Sequence, residues 1–534
     1  MSETGGMSGW RLSRLLAALA AGSLGAVAAA AELSGQDNPS LLTVVLWSSV
    51  AVGACALGAV ELIRARAEDA QARQRSAEEA QRAGVQRLAE LRAHFEPRAR
   101  GVLPFGPLSG WYFCGRVRAL SEIVGWLSDL SGGDSRARLV TGGPGSGKSA
   151  VLGRLVVMSH PELRCRVPPG EFERAPAGTV CPLGVINGRV HVRGRTVDEV
   201  AAVVAREVGI EADGSDSLLV GLSDRTPSPP LGVVVDAVDE AAAPERLVRD
   251  LLVPLARTAE RTGVRLLVGT RPGQDRRFVR AFGRDAVEID LDSTTYLEEE
   301  DLVRYAERLL AVDEDEGRGR NRRALTPYRH RPELASKVAQ AIASRAGRSF
   351  LVAHLSSLAL VQAPDVVDTT QPDWEMKLPH NADEAMEQYL DRFQTSRARV
   401  RDLLVPLAFA EGDGISNPDV WARLATALGT ASYTAADVGW LLSDTTASDL
   451  LTRVEVADGA AGAVAYRLFH EALAEHLRTV ARSPYECWRG ISVVRSRTGG
   501  RSADETGRPW PTVGEGGSLH AYVPVCPRRR WGCV

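Results

Sequence analysis

Lysine is almost absent from this chain of 534 residues, which has only Lys148, Lys337 and Lys377 among its 64 basic side chains. Cysteine is also rare. The seven cysteines are scattered without C-x-x-C spacing, and they indicate neither a cysteine zinc site nor a disulfide framework. An excess of positive charge is missing as well. With a net charge of −3, no nucleic-acid partner is expected.

One of the three lysines ends a glycine-rich segment that fits the pattern G-x-x-x-x-G-K-[ST] at every fixed position. A short buried strand is predicted over 138–141 and a helix with an apolar face from Ala150 to Met158, so the segment joins a strand to a helix. Such a loop turns backbone N–H groups around a phosphate, and a compact ammonium fits between β- and γ-phosphates where a guanidinium would not. The predicted nucleotide ligands are Gly142, Gly143, Pro144, Gly145, Ser146, Gly147, Lys148, Ser149 and Ala150.

A second apolar run, residues 231–236, ends in an acid and predicts a buried parallel strand with Asp236 at its carboxyl end. Asp236 is a predicted Mg²⁺ ligand acting through water, together with the hydroxyl of Ser149. Asp239 and Glu240 follow within four residues and are candidates for polarising the attacking water. Three acids beside a buried strand raise the free energy of the folded state unless they bind a cation or a water.

A third run over 264–270 is followed by Arg271, which would lie on the same side of the sheet as the glycine loop. An arginine there is predicted to sense the γ-phosphate and to stabilise charge during phosphoryl transfer. The guanine-specifying sequence N-K-x-D does not occur, so ATP is favoured over GTP.

These segments together resemble the STAND class of P-loop NTPases, in particular its NACHT-like bacterial members in the AAA/NACHT superfamily. The matching pieces are 113–116, the glycine loop, 233–240, 269–272 and 466–471. The resemblance implies that Gly115 and Arg116 lie near the adenine and ribose and that His470 lies near the diphosphate. It also implies slow ATP hydrolysis, an ADP-bound closed form, an ATP-bound form that self-associates, and an unidentified effector or sensor protein.

The predicted fold class is α/β, with a five-stranded parallel sheet built from strands near 138–141, 184–192, 232–236, 264–270 and 286–291. By the same resemblance, a P-loop NTPase domain at 101–296 precedes a helical lid at 297–380 and a winged-helix-like domain at 381–482. The remaining residues, 483–534, predict an irregular tail without an internal period. Either a sensor array is absent there, or the reading frame is truncated or shifted.

The N-terminal 64 residues predict a membrane hairpin, with uncharged helices at about 15–31 and 41–60. Arginines precede the first stretch and follow the second, which places the NTPase domain in the cytoplasm and the chain in the inner membrane as a multi-pass protein. A charged helical stalk is predicted over 65–100. Two alternatives remain open: a cleavable signal peptide in the first stretch, or two soluble core helices.

The leading hypothesis is therefore a membrane-anchored signalling switch that binds ATP or ADP with Mg²⁺ and has slow ATPase activity. A second hypothesis is a nucleotide-binding membrane scaffold without turnover. A third is a motor ATPase of the AAA+ kind, which would need a ring and an arginine finger supplied by a neighbour.

Overall fold

The structure, a computed structural model, describes residues 61–62, 64–75, 81, 84, 88–89, 91–102, 110–129, 133–225, 229–311, 326–363, 365–410, 414–455 and 464–481. The predicted membrane helices at 15–31 and 41–60 and the predicted tail at 483–534 lie outside these residues. Within the described ranges, no helix is both long and apolar enough to cross a bilayer.

The chain divides into two compact units, residues 1–88 and 89–534. In the first unit, residues 64–75 form a helix whose side chains are exposed. The second unit contains every other element described below. It begins with helix α1 over residues 91–100, which falls inside the segment predicted as a stalk. Leu91, Phe95 and Ala99 lie four residues apart on α1 and are buried.

The core of the second unit is a five-stranded sheet in which every pair of neighbouring strands is parallel, as predicted. In chain order the strands are β1 (Ala137–Thr141), β2 (Ile186–His191), β3 (Leu231–Asp236), β4 (Val264–Gly269) and β5 (Ala286–Asp290). Their spatial order is β2-β3-β4-β1-β5. All residues of β1, β3 and β4 are buried, which explains why these strands are mainly apolar.

Helices precede and separate the strands of the sheet. They are α2 (Val117–Ser128), α3 (Lys148–Ser159), α4 (Pro161–Arg164), α5 (Pro169–Glu173), α6 (Val197–Val208), α7 (Ser215–Ser223), α8 (Pro244–Leu247), α9 (Val253–Thr262) and α10 (Arg277–Phe282). A π-helical turn, Val248–Leu252, joins α8 to α9. Helix α6 begins with a capping box, since the hydroxyl of Thr196 accepts from Glu199 N–H and the Glu199 carboxylate accepts from Thr196 N–H.

The chain after the sheet is mainly helical. Its helices are α11 (Glu299–Leu310), α12 (Pro332–Ala346), α13 (Phe350–Val361), α14 (Ala382–Asp391), α15 (Arg397–Ala408), α16 (Pro418–Leu428), α17 (Ala435–Ser443) and α18 (Glu471–Val480). A hairpin of β6 (Leu451–Glu455) and β7 (Val464–Leu468) precedes α18. The helices share one apolar core, to which the hairpin contributes Leu451 and Leu468.

The strand order concentrates the predicted site at one edge of the sheet. Strand β4 lies between β1, which leads into the glycine loop, and β3, which ends in Asp236. Because carboxyl ends of parallel strands share an edge, the loop, Asp236 and Arg271 meet there. The N-terminus of α13 contacts the same edge, where Phe350 N–H donates to the carbonyl of Gly145 at 2.8 Å.

Candidate functional site

The glycine loop has the conformation that a phosphate cradle requires. Gly147 adopts φ 94° and forms the N-cap of α3, so the first amides of this helix face the loop's interior. Gly145 adopts φ 77°, and a Cβ atom there would lie 2.5 Å from Ser349 Oγ. Both positions therefore favour glycine for conformation, and Gly145 requires it for space as well.

Lys148, Ser149 and Asp236 lie together at the base of the loop. The Lys148 ammonium donates to the carbonyls of Gly142 at 2.9 Å and Gly143 at 2.8 Å, so it is held over the loop. The Ser149 hydroxyl donates to Asp236 Oδ1 at 3.2 Å. The sequence therefore identified a hydroxyl and a carboxylate that the fold brings into contact, which is the oxygen pair that a Mg²⁺ ion with bound water needs.

Asp239 and Glu240 are held beside Asp236 by a strained turn. Ala237 adopts φ 62°, a left-handed conformation unusual for alanine, and a 3₁₀ turn over Val238–Glu240 follows. This turn presents both acids to the same cavity as the glycine loop. Burial raises the pKa of Glu240 to about 7, an increase that Arg193 opposes. A carboxylate with this pKa is suited to accept a proton near neutral pH.

Arg271 lies at the end of β4 and is bound on two sides. Its backbone N–H donates to Asp239 Oδ1 at 2.9 Å, and its Nε lies 3.2 Å from Asp239 Oδ2. Its Nη1 donates to Glu475 Oε1 on α18 at 2.7 Å. The predicted γ-phosphate sensor is therefore in the cavity, with a carboxylate of the C-terminal region on its outer side.

His470 lines the same cavity and forms the N-cap of α18. Burial, followed by the charges of Lys148 and Arg271, lowers the pKa of His470 to about 3, so the ring is neutral. Its Nδ1 accepts from Ala472 N–H at 3.1 Å, which assigns the ring hydrogen to Nε2. His470 can therefore donate one hydrogen bond to an anion.

Gly115 and Arg116 are placed differently from the other predicted residues, since neither lines this cavity. The Arg116 guanidinium is buried and donates to the carbonyls of Ser146 at 2.6 Å, Leu291 at 2.6 Å and Tyr296 at 2.9 Å. It therefore supports the glycine loop from behind.

Comparison with known proteins gives little guidance. No protein-family model matches the sequence, and no curated protein matches it. A solved structure of C. elegans PCH-2 aligns with 14% identity over 52% of this chain and 66% of that chain, at a TM-score of 0.24. The match spans slightly less than two thirds of PCH-2 and assigns no function. On its own geometry, the second unit has an α/β fold with a P-loop.

Sequence reasoning missed the apolar end of the cavity. Val102, Tyr305, Phe350, Leu351 and His354 line it and come from three separate parts of the chain. Tyr305 Oη donates to the carbonyl of Gly101 at 2.7 Å and lies 2.7 Å from His354 Nδ1. None of these residues belongs to a motif, so only the packing of α11 and α13 on the loop reveals them.

The cavity, of about 170 Å³, has the chemistry of a nucleotide site. Five basic side chains line it, which suits a polyphosphate: Arg98, Lys148, Arg193, Arg271 and Arg467. The aromatic and aliphatic residues at its other end suit a base. The described residues thus fit ATP or ADP, with Ser149 and Asp236 placed for Mg²⁺.

A Gly145→Ala substitution is expected to disturb the contact between the glycine loop and α13. Its Cβ would lie 2.5 Å from Ser349 Oγ and 2.7 Å from Leu351 Cβ. Gly184→Ala is the matched control, because Gly184 has φ 75° and a Cβ there meets nothing within 4 Å. We expect the control to lose about 1 kcal/mol of unfolding free energy and Gly145→Ala about 2 kcal/mol more. Urea unfolding measures both, and equal losses would contradict the close approach.

Proposed function

We propose that this protein is a membrane-anchored nucleotide switch of the STAND/NACHT type, closed with ADP and opened by ATP, with slow ATP hydrolysis resetting it. The observation that carries the proposal is the position of α18 across the P-loop cavity. Its acidic residues Glu471 and Glu475 bind two arginines of the sheet domain, Arg193 and Arg271. We call these two ion pairs the α18 latch.

The latch joins the C-terminal region to the part of the cavity that the γ-phosphate of ATP, which ADP lacks, would occupy. Arg193 Nη2 donates to Glu471 Oε2 at 2.6 Å, and both side chains are largely buried. Arg271 binds Glu475 at 2.7 Å, and the Glu475 side chain is 44% exposed. The first pair is therefore expected to contribute about 1.5–3 kcal/mol and the second less than about 1 kcal/mol.

A γ-phosphate would compete with Glu475 for Arg271. The guanidinium already contacts Asp239, so it can exchange its second carboxylate partner for a phosphate without leaving the site. The neutral His470 ring, at the start of α18, can donate to a diphosphate and so favour the latched form. ATP and ADP would thus differ in their affinity for the latched and released forms, which is what a switch requires.

Hydrolysis is assigned to the acids after β3. Bound Mg²⁺ would supply charge stabilisation to the phosphate oxygens. Ser149 and Asp236 would hold the ion, Lys148 would hold the phosphates, and Glu240 would take the proton of the attacking water. The partially buried site limits access of bulk water, in keeping with slow turnover.

The remaining parts of the proposal rest on the resemblance and on the N-terminal sequence. They are self-association of the released form, an unidentified effector or sensor, and anchoring of the hairpin in the inner membrane with the NTPase domain in the cytoplasm. No nucleic-acid partner is proposed. A role as a motor is not favoured by any contact among the described residues.

The double substitution Glu471→Gln/Glu475→Gln is expected to speed nucleotide exchange. It removes both carboxylates of the latch while keeping side-chain size, so the closed form should lose about 2 kcal/mol, which corresponds to a roughly thirtyfold faster release of bound ADP. The measurement is the release of a fluorescent ADP analogue from the full-length protein after addition of excess ATP, together with the nucleotide content of the purified chain.

The matched control is Glu333→Gln/Glu375→Gln, which makes the same charge change at two exposed positions outside the cavity. It should release ADP at the rate of the unmodified protein. Equal release from the latch variant and the control would show that α18 does not restrain the nucleotide. A chain that folds but binds neither ADP nor ATP would reject the switch altogether.

A further inference from the structure

Two histidines that the nucleotide mechanism does not use face the carboxylate at the end of β3. His94 Nε2 lies 2.9 Å from Asp236 Oδ2, and His191 Nδ1 lies 4.0 Å from the same oxygen. One ligand atom from each of the three residues falls within 4.8 Å of the others. We propose that His94, His191 and Asp236 form a binding site for a divalent cation of the zinc class, a site beyond the proposed nucleotide function.

The three side chains converge from separate elements. His94 lies on α1, whereas His191 and Asp236 are the last residues of β2 and β3 and are register partners in the sheet. The two imidazole rings stack with centroids 3.6 Å apart and an interplanar angle of 22°. Stacking places both rings near the same carboxylate, and binding of one tetrahedral ion would turn the rings so that their lone pairs converge.

Hydrogen bonding leaves this cluster incomplete. His94 is 4% exposed, and its contact with Asp236 uses only Nε2. His191 Nδ1 is buried and has no hydrogen-bond partner among the residues that the structure describes. A buried polar atom without a partner costs about 1–3 kcal/mol. A cation bound by His94 Nε2, His191 Nδ1 and Asp236 Oδ2 would give that atom a partner.

The carboxylate of Asp236 can serve two ions because its oxygens face different groups. Oδ1 accepts from the Ser149 hydroxyl, on the side proposed for Mg²⁺. Oδ2 faces the histidines. The two sites are therefore adjacent and chemically distinct, since Mg²⁺ prefers oxygen ligands whereas two imidazoles with one carboxylate suit zinc.

The geometry needs only side-chain adjustment to accept a tetrahedral ion. Ligand atoms about 2.0–2.1 Å from zinc lie about 3.3 Å from each other in a tetrahedron. The observed separations of 2.9 and 4.0 Å to Asp236 Oδ2 bracket that value. His191 also lines the nucleotide cavity, so the fourth position would be open to water or to a phosphate oxygen.

Burial and the neighbouring arginines keep the histidines in the neutral form that binds metals. Burial is the main reason that the pKa of both rings is lowered well below the usual value, and Arg98, Arg193 and Arg467 add to it. Neutral imidazole is the ligand form. The same arginines repel a cation, but Arg193 is paired with Glu471 and lies 3.6 Å from Glu240.

Binding of Co²⁺ to the full-length, nucleotide-free protein tests the proposal, because Co²⁺ replaces zinc and reports its ligands in its visible spectrum. The protein should carry an affinity tag without histidine. We expect one equivalent of Co²⁺ to bind with the spectrum of a tetrahedral nitrogen and oxygen site, and Zn²⁺ to displace it. A spectrum with thiolate bands, or no uptake, would overturn the assignment.

His191→Phe is the informative variant, since it keeps an aromatic ring against His94 and removes both nitrogens. We expect it and His94→Ala to bind Co²⁺ at least about tenfold more weakly, because even groups behind a ligand contribute 10- to 100-fold to affinity. His330→Ala is the control, as His330 is exposed and outside the cluster. Wild-type affinity in both cluster variants would overturn the proposal.

The second measurement is the Tm with Zn²⁺ or with EDTA, which distinguishes loss of the metal site from poor folding of a variant. Zn²⁺ should raise the Tm of the unmodified protein and of His330→Ala relative to EDTA, because a ligand that binds the folded state stabilises it. The Tm of His191→Phe should not respond. An identical Zn²⁺ response in all three proteins would also overturn the proposal. Both measurements omit nucleotide, so their outcome does not depend on the switch.

Discussion

Replacement of Lys148 by alanine is expected to lower ATP turnover at least about 100-fold and to weaken binding of ATP and ADP. The ammonium lies within 2.9 Å of two loop carbonyls, over the position where the phosphates would bind. Loss of one preorganised donor at a reacting centre typically lowers kcat by about 10²–10³. The measurement is phosphate release from the full-length protein with Mg²⁺, combined with titration of a fluorescent nucleotide.

The chain offers a matched control because it has two other lysines. Lys337 is exposed on α12, where its ammonium donates to the carbonyl of Thr369 at 3.4 Å. Lys337→Ala removes the same group outside the cavity and should retain turnover within about twofold. If Lys148→Ala hydrolyses ATP at the unmodified rate, the glycine loop is not the source of the activity. Loss in both variants would point to damage of the fold.

The sheet and the glycine loop could be predicted because their signals are local. Strands β1, β3 and β4 are mainly apolar, with one arginine each in β1 and β4 and an aspartate at the end of β3, and the loop between β1 and α3 carries its glycines at fixed spacing. The acids after β3 follow directly from the strand that precedes them. Local sequence therefore fixed both the elements and the edge of the sheet where they meet.

The partners of these groups could not be predicted, since they come from distant positions. His94 and Asp236 are separated by 142 residues, and the polar composition around α1 led to the prediction of a stalk. The spacing of Leu91, Phe95 and Ala99, four residues apart, was a signal of burial that the composition concealed. It shows the buried face of the helix but not which surface covers it.

The same limitation applies to the α18 latch. Glu471 and Glu475 are four residues apart, so a helix places them on one face. No feature of the sequence says that this face meets Arg193 and Arg271. For Arg116 the motif was visible in the sequence, but its partners were not: the guanidinium donates to three backbone carbonyls behind the loop.

Glu240→Gln is expected to lower kcat about 10²–10⁴-fold while ATP binding is retained. The amide keeps the size of the side chain but cannot accept the proton of the attacking water, and positioned acid–base groups contribute this factor. Asp239, which holds Arg271, is left in place. The control is Glu245→Gln, which makes the same chemical change at an exposed glutamate on the neighbouring helix α8.

The pH dependence of turnover gives a second measure of the same group. Burial raises the pKa of Glu240 to about 7; Arg193 opposes the increase, and Glu471, Asp239 and Asp236 add to it. Below this pH the carboxyl is protonated and cannot act as a base. The rate should therefore rise with pH, reach half its maximum near pH 7, and fall about tenfold per unit well below it.

The two measures together separate a catalytic base from a structural acid. In Glu240→Gln the residual rate should lose the rise near pH 7, whereas Glu245→Gln should keep it. A glutamine variant with a low rate and an unchanged pH profile would assign the proton transfer to another group, with Asp239 next in position. Unchanged kcat in Glu240→Gln, or no turnover in the unmodified protein despite bound ATP, would favour the scaffold without hydrolysis over the switch.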